Sequence, residues 1–172
     1  QNAAHVMTQA FALRRNYPDK RSNLIHNFEL PKRGGPLSFG QIELLQGFLA
    51  LNEARLKKAH EALRLPACRY PMDCTLLMNT PLPHLAWLKE IAELHQYAAW
   101  LAIQSGDVAP AVTNITMILA LARTLDHEPC LISQFVRLKL IDQACTVLER
   151  RASAGPLNAA EIADLTKAFK TT

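Results

Sequence analysis

Glycine and aromatic side chains are scarce in this chain of 172 residues: six glycines, and 6% Phe, Trp and Tyr together. Few aromatic and β-branched residues leave little material for strands. No apolar run reaches the ~18–20 residues of a membrane span. The nearest, from Val108 to Ala122, is interrupted by Pro110, Thr113, Asn114 and Thr116. The four cysteines (68, 74, 130, 145) form no Cys-x-x-Cys and no Cys-x-x-Cys-His, which excludes the common zinc, redox and haem-attachment spacings. Neither His-Glu-x-x-His nor Gly-x-Ser-x-Gly occurs, so zincin and α/β-hydrolase chemistry have no signature. Charged residues are 20%, and no second copy of any segment recurs at a fixed period.

What is present in excess is leucine, 27 residues, and alanine, 25. Both lead the helix-propensity ranking, so an all-α fold is expected. At 49% hydrophobic residues the chain can bury a core, and at 19.2 kDa it reads as a single helical domain over 1–172. The net charge of +4 comes in short pairs such as Lys57-Lys58 and Arg150-Arg151, spread along the length. A nucleic-acid reader concentrates its charge on one face, so these pairs are expected to be solvated surface and nucleic acid is not an expected partner. Cys68 and Cys74 share one irregular segment and can bridge in an oxidising compartment. Cys130 and Cys145 read as small core residues.

Hydrophobic periodicity predicts five to six helices in an antiparallel array. The first spans about 2–15. Proline and glycine then mark a loop over 16–37, with at most a turn near Leu24–Phe28. Ser38 is the expected N-cap of one long helix to about Arg64, ended by Pro66. After a proline-rich connection over 65–82, Pro83 opens a helix whose inward stripe is Leu85, Leu88, Ile91, Ala92, His95, Ala99 and Ala102. Gly106 and Asp107 supply a left-handed end and a new cap before the apolar helix from Val108. Pro129 opens a fifth helix, with Ile132, Phe135, Val136, Ile141, Ala144, Cys145 and Leu148 expected inward. A capping box, Asn158 with Glu161, starts the last. The junction Trp100-x5-Gly106-Asp107-x3-Ala111 resembles the tetratricopeptide helical hairpin, although that repeat's large aromatics are missing from their usual places.

Several strings carry a wider resemblance: Asn2-Ala3-Ala4, Cys68-Arg69-Tyr70-Pro71-x-Asp73, Leu82-Pro83-His84-Leu85, Glu128-Pro129-x-Leu131-Ile132-Ser133-Gln134-x-Val136-Arg137, and the Gly-Pro-Leu turn at 155–157. Together they resemble a family of helical proteins of planctomycete and verrucomicrobial bacteria, to which no activity is assigned. That resemblance implies an extracytoplasmic, periplasmic domain preceded by a removed signal or N-terminal membrane anchor. It supplies no catalytic residues.

The polar members of these strings, Arg69, Asp73, His84 and Arg137, are the candidate site. A loop-borne Arg69–Asp73 pair and a helix-borne Arg137 beside an inward stripe point either to a buried ion pair pinning the loop or to a pocket for an anionic ligand. Arg137, too costly to bury alone, is expected to meet Asp73, Glu128 or backbone carbonyls. His84 and His95 are 11 residues apart on one helix, about 16 Å along its axis, so they cannot share a metal ion. No metal, cofactor or catalytic residue is expected. The expected function is a non-enzymatic interaction module for a protein or peptide; the alternative is a small-molecule-binding domain or enzyme with a pocket under the 65–82 loop.

Overall fold

The structure, a computed structural model, describes residues 2–28, 31, 35–73, 75 and 80–172. Among the described residues it is all-helical, as the composition demands, but with eight helices rather than five to six: α1 (Ala3–Ala12), α2 (Arg21–His26), α3 (Phe39–Leu51), α4 (Glu53–Leu63), α5 (Pro83–Ser105), α6 (Val108–Arg123), α7 (Leu131–Ser153) and α8 (Ala159–Lys170). The centre is α5, packed against α6, α7 and α3; α1 lies on α4, and α8 on α6. One apolar core runs through these contacts, from Met7 and Phe11 to Leu119, Leu140 and Leu165. No helix among the described residues is long and apolar enough to cross a membrane.

The α5–α6 hairpin forms as its sequence dictates. Pro83 occupies the first turn, the predicted stripe is buried throughout, and Gly106 adopts φ +76°. That left-handed residue reverses the chain within one turn, which sets α6 antiparallel to α5. Asp107 takes the cap position of α6, yet its side chain makes no capping bond. Ser38 with Gln41, and Asn158 with Glu161, both close complete capping boxes.

Three expectations are corrected. The single long helix from Ser38 is broken at Asn52, whose buried amide donates to the carbonyls of Arg15 and Phe48 and accepts from the Arg15 N–H. A polar side chain satisfied by a neighbouring loop thus replaces helical continuity. On α7 the buried face centres on Ser133, Leu140, Ala144 and Val147; of the expected stripe Ala144 is buried and Val136, Ile141 and Leu148 pack half-buried against the core, so the stripe is rotated in part. Ile132, Phe135 and Cys145 lie exposed and Cys130 is half-buried at the N-cap.

Third, Arg150 and Arg151 are not a solvated pair; both are buried. The Arg150 guanidinium lies 3.7 Å from the centroid of the Trp100 ring and donates to the Gly35 carbonyl. Both α5 and α7 end beside it, so the partial negative charge of two helix C-termini faces this cation. This arrangement explains how a guanidinium is tolerated there with no carboxylate against it among the described residues.

Candidate functional site

Four segments remote in sequence converge where α1 begins: residues 2–8, the 67–72 stretch, the first turn of α5, and the 124–129 turn between α6 and α7. Asn2 organises the meeting. Its side-chain oxygen accepts from the Ala4 N–H at 3.1 Å, capping α1, and from the Arg69 N–H at 2.9 Å. Its side-chain nitrogen donates to the Arg69 carbonyl at 2.8 Å, and the Ala3 N–H donates to the Ala67 carbonyl at 2.8 Å. The proline-rich connection is therefore held down at 67–69 by three hydrogen bonds.

That clasp sets Tyr70 inside. Its ring stacks on His84 at 4.4 Å and 10°, and its other neighbour is Phe11 at 6.5 Å. The Tyr70 hydroxyl reaches the Thr124 hydroxyl at 3.4 Å. Burial pushes the Tyr70 phenol well above its ordinary value, and burial likewise pushes the Cys68 thiol up to about 11. A thiol so protected is protonated at neutral pH and is no nucleophile.

Beneath Tyr70, His84 meets Glu128, both nearly inaccessible. His84 Nε2 lies 2.9 Å from Glu128 Oε1 and 3.2 Å from Oε2; only the second contact has hydrogen-bonding geometry, and Oε1 is a buried acceptor without a donor. The turn carrying Glu128 is fixed from α7, because the Gln134 amide donates to the carbonyls of Leu125 and Glu128 at 3.0 and 2.8 Å. Above these groups opens a cleft of about 1110 Å³ lined by Asn2, His5, Arg69, Tyr70, His127 and Glu128 among others.

Of the four residues picked from sequence, the structure places Arg69 at this cleft and His84 beneath it. Asp73 is exposed and turns back on its own chain, accepting from the N–H and hydroxyl of Thr75, which hold its carboxyl below the ordinary value. Arg137 is elsewhere: it pairs with Asp126 at 2.9 Å and donates to the main-chain oxygen of Thr172. Its carboxylate is therefore Asp126, not Asp73 or Glu128, because α7 is rotated from the expected stripe. Cys68 is a free thiol, and its suggested partner Cys74 lies outside the described residues.

Glu128, expected only as a partner of Arg137, and Tyr70 and Asn2, noted only within longer strings, are the site members not picked from the sequence. One signal for Glu128 was legible. His84 lies four residues before Leu88 and seven before Ile91, on the inward stripe of α5, where an imidazole needs a polar partner. A second buried histidine, His95, bonds Asn114 at 2.8 Å and stacks on His60 at 5.1 Å; both Nε2 atoms lack partners. Among the described residues no three His, Cys, Asp or Glu side chains cluster to hold a metal ion. Compared with family models, with curated proteins and with solved structures, the chain has no match in any of the three.

Proposed function

We propose that this chain is a helical interaction module that holds a partner protein or peptide on the outer face of α7. One observation carries the reading. Leu131, Phe135 and Leu138 project from one side of that helix and are 67%, 60% and 58% exposed, with Ile132 beside them. Spaced by four and three residues, they form a row about 10 Å long. Single exposed leucines are ordinary; contiguous rows of large apolar groups mark contact surfaces. The spacing is that of the anchors by which a helix is recognised in a complementary groove.

The tight α5–α6 hairpin adds support by analogy with tetratricopeptide arrays, whose stacked helices present surfaces to peptides. An extracytoplasmic location for the module rests on the family resemblance alone.

Immobilised protein tests the reading. Wild-type protein should retain a defined partner from a lysate of its source organism, and Phe135→Ser should release it with an unchanged melting midpoint. Identical retention by both proteins would end the proposal for α7.

A further inference from the structure

We propose that the partner seated on the outer face of α7 is a second copy of this chain, its own α7 laid antiparallel across the first. This rests on the contact surface proposed above and names what covers it.

The row points straight away from the core. At about 100° per residue, Leu131, Phe135 and Leu138 lie opposite the fully buried Leu140, Ala144 and Val147. A second copy can therefore reach the row without disturbing the fold. Leu131, Ile132, Phe135 and Leu138, each more than half exposed, make an apolar patch of several hundred Å², at the upper end of what a monomer leaves bare. That is a large part of the about 800 Å² that each side of a stable dimer buries. Lys139 and Asp142 flank it as a polar rim.

The row is complementary to itself. Leu131-x3-Phe135-x2-Leu138 reads Leu-Phe-Leu in either direction. A two-fold axis near residues 134 and 135 sets Leu131 of each copy against Leu138 of the other. The two Phe135 rings then meet at the centre, so one patch serves both sides of the contact.

Charge sets the direction. Past Leu138 the same stripe of α7 continues as Asp142, Cys145 and Glu149, all exposed. A parallel pair would set Asp142 against Asp142 and Glu149 against Glu149. The antiparallel pair instead carries Asp142 to the start of the second copy's α7. There the first turn holds no acidic residue, and the cap residue Cys130 makes no side-chain bond. The positive end of that helix dipole is thus unanswered by any side chain of its own first turn, and the exposed His127 stands just before it. Within one copy Asp142 has only Lys139, at 2.9 Å with side chains 64% and 70% exposed, a pair of little strength.

Sedimentation measured from micromolar to near-millimolar protein gives the mass, and spin labels on the exposed Cys145 give the direction. Wild type should reach twice its 19.2 kDa at the upper end and return to the monomer on dilution. Phe135→Ser and Leu138→Ser should stay monomeric throughout, and at dilutions where wild type is also a monomer they should melt with it. Asp142→Lys should raise the dimer dissociation constant about tenfold, because the contact occurs twice. With the other three cysteines changed to alanine, the two labels should lie about 30 Å apart along the helices, against about 10 Å in a parallel pair. A wild type monomeric at every concentration, a dimer that persists in Phe135→Ser, a dissociation constant unmoved by Asp142→Lys, or the shorter label distance would each overturn the proposal. A monomer that still retains a lysate partner, lost in Phe135→Ser, would remove the second copy and leave the α7 surface standing.

Discussion

Arg151 and Glu161 close on each other at 2.9 Å, with side chains 5% and 7% exposed. Glu161 does two jobs at once. It accepts from the Asn158 N–H at 2.7 Å to complete the capping box of α8, and it takes two nitrogens of the Arg151 guanidinium. Arg151 also donates to the Gly155 carbonyl at 3.0 Å and the Pro156 carbonyl at 3.3 Å. The turn between α7 and α8 is thus wrapped around one ion pair.

Removing one partner should therefore cost far more than an ordinary surface charge. Glu161→Ala leaves a buried guanidinium unpaired and should lose about 3–5 kcal/mol. The double variant Arg151→Met/Glu161→Leu should lose less than the sum of the two single changes. Urea unfolding midpoints measure both, and strict additivity would refute the coupling.

Stability should fall on mild acidification. Burial pushes His95 down to about 4, and burial also lowers His60, stacked against it. Freed from the fold, histidine takes protons near pH 6.5. Between those values the unfolded chain binds more protons than the folded one. Stability is then complete above pH 6.5 and drains away as pH falls toward 4, by about 3 kcal/mol for His95. Thermal melts at pH 7, 5.5 and 4.5 should show this loss, and His95→Gln should flatten it.

Arg137 should matter little to stability. It is partly exposed and its partner Asp126 more so, at 23% and 40% of their side chains. Arg137→Ala is expected to cost no more than about 1 kcal/mol, the range of screened pairs. A loss of several kcal/mol in a denaturant melt would show that the contact with Thr172 carries more than its exposure implies.

Gly47 sits within α3, where alanine would ordinarily gain about 1 kcal/mol of helix propensity. A Cβ there would fall 2.3 Å from the Tyr17 hydroxyl, which donates to the Leu44 carbonyl at 2.7 Å. Gly47→Ala should instead destabilise by about 1–2 kcal/mol, the cost of a displaced buried hydroxyl. Adding Tyr17→Phe should recover part of the loss in the same denaturation assay.

These residues also show what the chain discloses in one dimension. The stripe of α5 was readable because its apolar positions keep one phase between Pro83 and Gly106, and a single face accounts for them. α7 was not, because large apolar residues occupy two of its faces. Leu140 and Val147 are buried and Leu131 and Phe135 are not, and periodicity alone does not say which side meets α6. Asn52 gave no sign of a break, since its partner Arg15 lies 37 residues away. The site divides in the same manner. Arg69 and His84 were visible as unusual polar residues in a proline-rich loop and on an apolar stripe. Glu128 was hidden as an acid in a turn, 44 residues from the histidine it holds.

The double use of Asn2 has a kinetic consequence. One side chain both caps α1 and grips the main chain of residue 69, so fraying of the first helix and release of the 67–70 segment are one event. Amide hydrogens at Ala4 and Arg69, 65 residues apart, should exchange with a common opening free energy, as members of one cooperative unit. The entrance to the cleft would open with that unit as a whole, and never by the loop alone.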